Sequence, residues 1–247
     1  MLNLLPLSPK GCLYRQWVPP EDLMFLKRRA WLPLHRREVV EASSTMPLAV
    51  ARVGKQQWRL VALCGIFKQH NVWVQQGQWV GRYRPQCLDT LPFEYLSVQG
   101  RGVVAFDIDS GLEAEAGQGV PFFTPLGDMH PEARGYVDLV MQRYPDYREL
   151  ENVLGLFDKL ELLVPWESPW QDRAGVDIEC DGLFRVDEHA VSRLSHVDTR
   201  ALYMAQAVPV ISALGRSFEH VKPLVHAALS GEVPFDDGNV PQKTRCG

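Results

Sequence analysis

The residues best suited to chemistry lie in separate stretches of the chain. His196-Val197-Asp198 has the His-x-Asp form of a non-haem iron site, in which neutral imidazole and carboxylate each supply a ligand, with His220 or His226 as the third. The same residues fit a plainer role, Asp198 capping the helix that follows and His196 sitting in the loop before it. Asp107-Ile108-Asp109, with Glu113 and Glu115 behind it, gathers carboxylates of the kind that bind a divalent cation. It lacks EF-hand spacing and reads as a solvated acidic loop. Asp181, Asp187 and Glu188 flank Arg185, a grouping suited to ion pairs and helix capping more than to acid–base exchange.

The densest constellation is aromatic. Trp73, Trp79, Tyr83, Phe93 and Tyr95 interleave with Arg82 and Arg84, a mixture typical of surfaces that recognise proteins, peptides or sugars. Trp73, Trp79, Arg82, Tyr83, Arg84 and Tyr95 are therefore the expected binding residues. The competing expectation is that alternate aromatics point into a core, as the two-residue period of a half-buried strand requires.

Several classes are excluded. There is no GxSxG, P-loop or GxGxxG run. A net charge of -4 leaves no overall basic field for nucleic acid, and Lys27-Arg28-Arg29 with Arg36-Arg37 reads as a solvated face. The five cysteines, Cys12, Cys64, Cys87, Cys180 and Cys246, show no zinc spacing, and their scatter fits a reducing compartment. Pro6 and Pro9 interrupt the N-terminal apolar stretch, so no secretory signal is evident, and no run reaches the ~20 apolar residues of a membrane span. A soluble, cytoplasmic protein without a cofactor is expected, with a protein or peptide as partner.

These residues must be held by elements that the sequence also outlines. The stretch Gln57–Tyr95 is the organising centre: Leu60–Phe67 is a short apolar run fit for a buried strand, and Val72–Val74 and Trp79-Val80 flank a turn at Gly77. Trp31–Leu34, Met46–Val53, Gly102–Ile108 and Leu162–Trp166 read as further extended segments, and Val176–Val186 as a later strand. Glu21–Arg29 is predicted helical behind Pro19-Pro20, and Arg36–Ala42 as a turn or two. From Asp109 to about Pro131 the chain reads as a long surface loop. Pro131–Tyr144 begins with a proline suited to a first helical turn, and Pro145 is expected to stop it. Arg148–Leu160 carries the stripe Leu150, Val153, Leu154 and Phe157. Asp187 should cap Glu188–Leu194, Asp198 a helix from Thr199 toward Leu214 that Pro209 kinks or restarts, and Phe218–Leu229 is the last helix. The fold class is α+β: a largely antiparallel sheet from 46 to 108 packed on helices, in one domain over residues 1–230, with a frayed tail at 231–247.

The order of these pieces carries a family likeness. Leu32-Pro33-Leu34, Leu60–Gly65, Tyr83 and Pro85 before Leu91-Pro92-Phe93, Leu163-Val164-Pro165, and above all Gly182-Leu183-Phe184-Arg185-Val186-Asp187-Glu188 resemble the SapC family of bacterial proteins over about residues 30–215. The last run resembles that family's GLYRVDE pattern, with Phe184 at the position of its tyrosine. The resemblance implies an association with a surface layer or with peptide transport by label only, and no catalytic residues. Together these readings favour a non-enzymatic binding or accessory protein, with a metal-dependent enzyme such as a non-haem iron oxygenase at His196 and Asp198 as the alternative. Within Gly182–Glu188, Gly182 is expected to turn the chain into a strand, with Leu183 and Val186 buried.

Overall fold

The computed structural model describes residues 3–53, 57–66, 70–98, 101–167, 180 and 182–231. In chain order the strands are β1 (Leu4–Pro6), β2 (Gln16–Trp17), β3 (Trp31–Pro33), β4 (Leu48–Arg52), β5 (Trp58–Leu63), β6 (Val74–Gln75), β7 (Gln78–Trp79), β8 (Phe93–Val98), β9 (Arg101–Asp107), β10 (Glu113–Ala114), β11 (Val120–Pro121), β12 (Leu163–Pro165) and β13 (Leu183–Val186). Two short helices, α1 (Pro9–Cys12) and α2 (Val39–Ala42), precede the larger ones. These are α3 (Pro131–Gln142), α4 (Tyr144–Lys159), α5 (Glu188–Ser192), α6 (His196–Met204), α7 (Val208–Ser217) and α8 (Val221–Ser230).

The class is α+β, with every strand pairing antiparallel. The expected single sheet from 46 to 108 is instead divided. β4 and β5 lie inside a five-stranded sheet of order β12-β13-β4-β5-β3, whereas β8 and β9 join β1 in another, ordered β1-β9-β8. β4 and β5 are buried along most of their length and need cover on both faces; β13 and β3 pair their edges, and α4 and α7 pack against them. Residues 176–179 and 181 of the expected late strand lie outside the described residues; among those described, the strand is Leu183–Val186.

Two apolar clusters result. One is largely aliphatic and takes in β4, β5 and the inner faces of α4, α7 and α8. Leu150, Val153, Leu154 and Phe157 of α4 are all buried in it, as their spacing predicts, and each contributes about 1.5–3 kcal/mol. The other is aromatic: Trp17, Phe93, Phe106 and Phe122 are fully buried around one another, with Trp17 edge-on to Phe93 at 4.8 Å between centroids. β2 is held there by the segment expected to be a loop. β10 and β11 pair on either side of β2, and Gln16 Oε1 accepts from the backbone N–H groups of Gly117 and Gly119 at 2.9 and 3.1 Å.

Three helix boundaries differ from expectation. Glu21–Arg29 forms only a 3-10 turn at Met24–Leu26. Pro145 does not stop a helix but lies in the first turn of α4, where its missing N–H costs nothing. In the stretch from Thr199 toward Leu214, Pro209 takes the second of its two expected roles and restarts the helix: Gln206 adopts a left-handed φ of 51°, and Pro209 sits in the first turn of α7. Ser195, not Asp198, caps α6; its hydroxyl accepts from the Asp198 N–H at 3.1 Å and donates to Asp198 Oδ2 at 2.6 Å.

The family-like run is structural along one edge. Gly182 has the positive φ, 76°, that the turn into β13 needs, and Asp187 caps α5 by accepting from the His189 N–H at 2.9 Å. Val186 is buried, but Leu183 is only half-buried. A strand's period of two puts residues 184 and 186 on one face; Phe184 is half-buried as well and meets Trp58 edge-on at 4.8 Å, and both Leu183 and Phe184 pack against the larger apolar cluster.

Candidate functional site

The aromatic–arginine constellation does not assemble into one face. Trp73 is buried and donates its indole N–H to the Leu63 carbonyl at 3.2 Å. Trp79 is half-buried, donates to the Tyr83 carbonyl at 2.8 Å, and lies 6.2 Å from Trp73 between ring centroids. Those two and Tyr83 pack against the aliphatic cluster. Tyr95 is buried in the aromatic cluster instead, stacked on Tyr147 at 5.2 Å and donating its hydroxyl to Glu151 at 3.1 Å. Arg82 and Arg84 are exposed, and Arg84 pairs with Asp89 at 2.6 Å. The β6–β7 hairpin turns its aromatics inward, with Gly77 at the expected left-handed φ, here 74°.

What the sequence did not announce is a polar network buried between β5 and β8. Glu94 of β8 is held by Arg29 and by Arg59 of β5, the latter at 2.5 Å. Arg29 also donates to Asp107, at the end of β9, at 2.9 Å, and Arg59 donates to the Tyr95 carbonyl. Burial works to raise the Glu94 pKa, but the two guanidinium groups outweigh it and hold the carboxyl below its ordinary value. Asp107 goes the other way. Burial pushes it up to about 6 against the pull of Arg29, with Glu94 adding repulsion. The readable signal was a lone charge within an apolar strand, Arg59 in β5 or Glu94 in β8, which cannot stay there unpartnered.

A second buried cluster centres on Glu38. Its Oε1 contacts both the backbone N–H and Nδ1 of His35 at 2.6 Å. Its Oε2 accepts from the Tyr83 hydroxyl at 2.6 Å and the Gln86 N–H at 2.9 Å. Burial would raise the Glu38 pKa; the hydrogen bond and charge of His35, then Gln86 and Tyr83, bring it below its ordinary value. Cys64 and Cys87 lie close by, and burial raises both thiols, which keeps them protonated and unreactive. A carboxylate, an imidazole and two thiols thus lie in one buried region. The cluster stitches the 35–42 segment to the one following the hairpin.

The His-x-Asp residues do not form a metal centre. His196 is exposed in the first turn of α6, and Asp198 is engaged with Ser195. Among the described residues, no three His, Cys, Asp or Glu side chains come together to hold a metal ion. In the acidic stretch Asp107 is taken by Arg29 and Glu113 by Arg15 at 3.1 Å.

An open site lies elsewhere, along the family-like run. A groove of about 880 Å³ is walled by Arg185, Asp187 and Glu188, by Ile211 and Phe218 beside α7, and by Trp166. Its size is in the range of ligand-binding clefts. Trp166 stacks on Phe218 at 5.9 Å, and Phe218 keeps 47% of its surface exposed. Arg185 is exposed, as its outward register in β13 dictates. The groove combines an aromatic pair, an arginine and acidic side chains, the mixture found at interface hot spots. Among the described residues no helix is long and apolar enough to cross a membrane.

Compared with known proteins, the chain matches the family model described as SapC over residues 14–224. No curated protein and no solved structure gives a match.

Proposed function

The chain belongs to the SapC family, and from that premise we propose that it is a non-enzymatic binding or accessory protein whose partner is a protein or peptide. The observation that carries this reading is that the run most like the family's pattern, Gly182–Glu188, forms a wall of an open groove with aromatic and charged lining. The carboxylates of Glu38 and Glu94, by contrast, are buried and engaged by neighbouring side chains. The partner lays an apolar side chain against Trp166 and Phe218 and meets Arg185 with an acceptor.

Site-specific photo-crosslinking in native lysate tests this. A photoreactive residue at Ser192, which lines the groove, should yield a discrete adduct, whereas one at the exposed Arg134 of α3 should not. Adduct formation should fall when Arg185 is changed to alanine. Failure of Ser192 to give any adduct above the Arg134 background would remove the reading. A parallel Arg82→Ala/Arg84→Ala variant tests the surface expected from sequence: an unchanged adduct leaves the groove as the sole contact, and a lost one extends the contact to that arginine pair.

A further inference from the structure

The groove along β13 and α5 carries an uneven set of charges. Glu167, Asp187 and Glu188 bring three carboxylates to its lining, against the guanidinium of Arg185 and the imidazole of His189. The three carboxylates are not equivalent. Asp187 is half-buried and engaged in capping α5 through the His189 N–H. Glu167 and Glu188 are exposed, and among the described residues neither makes an ion pair or a side-chain hydrogen bond. Arg185, exposed as well, pairs with neither of them. The charges of the groove therefore do not cancel one another within the chain.

Glu188 is held in the groove and not turned away from it. It is the first residue of α5, where a carboxylate suits the positive end of a helix, and its side chain reaches across to α7. A Cβ built on Gly215 would stand 3.2 Å from Glu188 Oε1, so the bare backbone at Gly215 leaves room for the carboxylate. Three residues on, Phe218 stacks on Trp166 with 47% of its surface exposed. A carboxylate and an open aromatic ring thus border the same wall, a pairing that receives a cation and an apolar side chain next to each other.

On the reading of this groove as a protein- or peptide-binding site, we propose that its partner is a basic segment: an apolar side chain lies on Phe218 and Trp166, and a neighbouring arginine or lysine places its cation at Glu188, with Glu167 as the second acceptor. Arg185 takes a backbone carbonyl of the segment, an acceptor that every peptide carries, and so does not call for an acidic partner. An acidic segment satisfies Arg185 but brings its charge against Glu167, Asp187 and Glu188. Each exposed ion pair adds little. The basic charge therefore selects the partner, and the aromatic pair supplies most of the affinity.

Fluorescence polarisation on the full chain tests this with three labelled peptides that share a Leu-Phe pair, flanked by arginines, by glutamines or by glutamates. The arginine peptide should bind about fivefold tighter than the glutamine one, the glutamate peptide should bind more weakly than both, and added salt should narrow the differences. Glu167→Gln/Glu188→Gln should remove the preference for arginine and keep the affinity for the glutamine peptide, which also shows that the groove is still formed. Glu132→Gln, the same kind of change in the first turn of α3 and outside the groove, should keep the preference. Equal affinity for the arginine and glutamine peptides, tighter binding of the glutamate peptide, no binding of any, or an arginine preference that survives in Glu167→Gln/Glu188→Gln would overturn the proposal. Photo-crosslinking from Ser192 separates its failure from that of the groove: a discrete adduct alongside any of these results leaves a binding groove whose partner is not basic, and no adduct together with any of them removes both.

Discussion

Between β5 and β8 the protein buries charged side chains that answer one another: Glu94 takes two arginines, and Arg29 is shared with Asp107. Around α6 and α7 the pattern is reversed. Apolar side chains stay open to solvent, and a guanidinium nitrogen at Arg36 is left without an acceptor among the described residues. In the first region desolvation is repaid within the fold. In the second, apolar surface is left in water. Strongly shifted pKa values often flag active sites; here those of Glu38, Glu94, Cys87 and Tyr147 belong to buried side chains, whereas around α6 it is apolar side chains that stand exposed.

The most direct way to break the comparison is Glu94→Gln. An amide can satisfy one guanidinium with its oxygen but turns N–H toward the other, leaving a buried cation uncompensated. The expected loss is about 3–5 kcal/mol, read from urea denaturation at neutral pH. The pH dependence has a definite sign. Because the folded-state pKa of Glu94 lies below its ordinary value, its contribution is present above that ordinary value and is lost as pH falls through the folded pKa. A loss near zero would mean that the interior charges are not mutually dependent.

Asp187→Ala should cost less, about 0.5–2 kcal/mol, because it removes one cap from the five-residue α5. Thermal melts measure it. The substitution also sharpens the comparison, since Asp187 lines the first groove while serving the fold: crosslinking from Ser192 should fall only as far as α5 frays.

Asp107→Asn should be milder still, with no loss of stability expected at neutral pH, although Asp107 shares Arg29 with Glu94. Its pKa is raised to about 6, so its contribution is complete below the ordinary carboxylate value and is lost as pH rises through about 6. Asparagine imitates the neutral form. The stability of wild type relative to Asp107→Asn should therefore fall as pH rises from 4 to 7, opposite in slope to the effect of Glu94. Parallel slopes for the two carboxyls would show that Arg29 dominates both.

Much of the fold could be read from local pattern, and the failures share a cause. The stripe on α4, the turn at Gly77 and the Asp187 cap depend on neighbours within a few residues. Glu21–Arg29 has local helical features but spends its backbone elsewhere: Asp22 accepts from the Met24 N–H at 2.8 Å, and the Leu23 N–H goes to the Gly77 carbonyl at 2.9 Å. Tertiary contact with the hairpin outweighs propensity. The break at Gln206 is similar, since no residue type there demands a left-handed φ; Arg36, 170 positions away, captures the turn's carbonyl. The aromatic–arginine stretch shows the limit for sites. Its composition fits recognition and core equally, and only the direction each strand faces separates the two. The Arg29–Glu94 pair, 65 residues apart, has no sequence signature beyond a charge in an apolar strand.

The smallest expected effect on stability tests the groove most closely. Arg185 lies in β13 between Phe184, which packs on Trp58, and Val186, which is buried. Its own side chain points away from that packing, and its exposure means that water already solvates the charge in the folded state. Arg185→Ala should therefore shift stability by no more than about 0.5 kcal/mol, well below Asp187→Ala two residues on. Crosslinking from Ser192 should nonetheless drop, because an exposed arginine at the wall of an aromatic groove contributes to a partner what it does not contribute to the fold. A stability loss matching that of Asp187→Ala, with crosslinking unchanged, would place Arg185 with the interior charges and leave the family-like run a structural element alone.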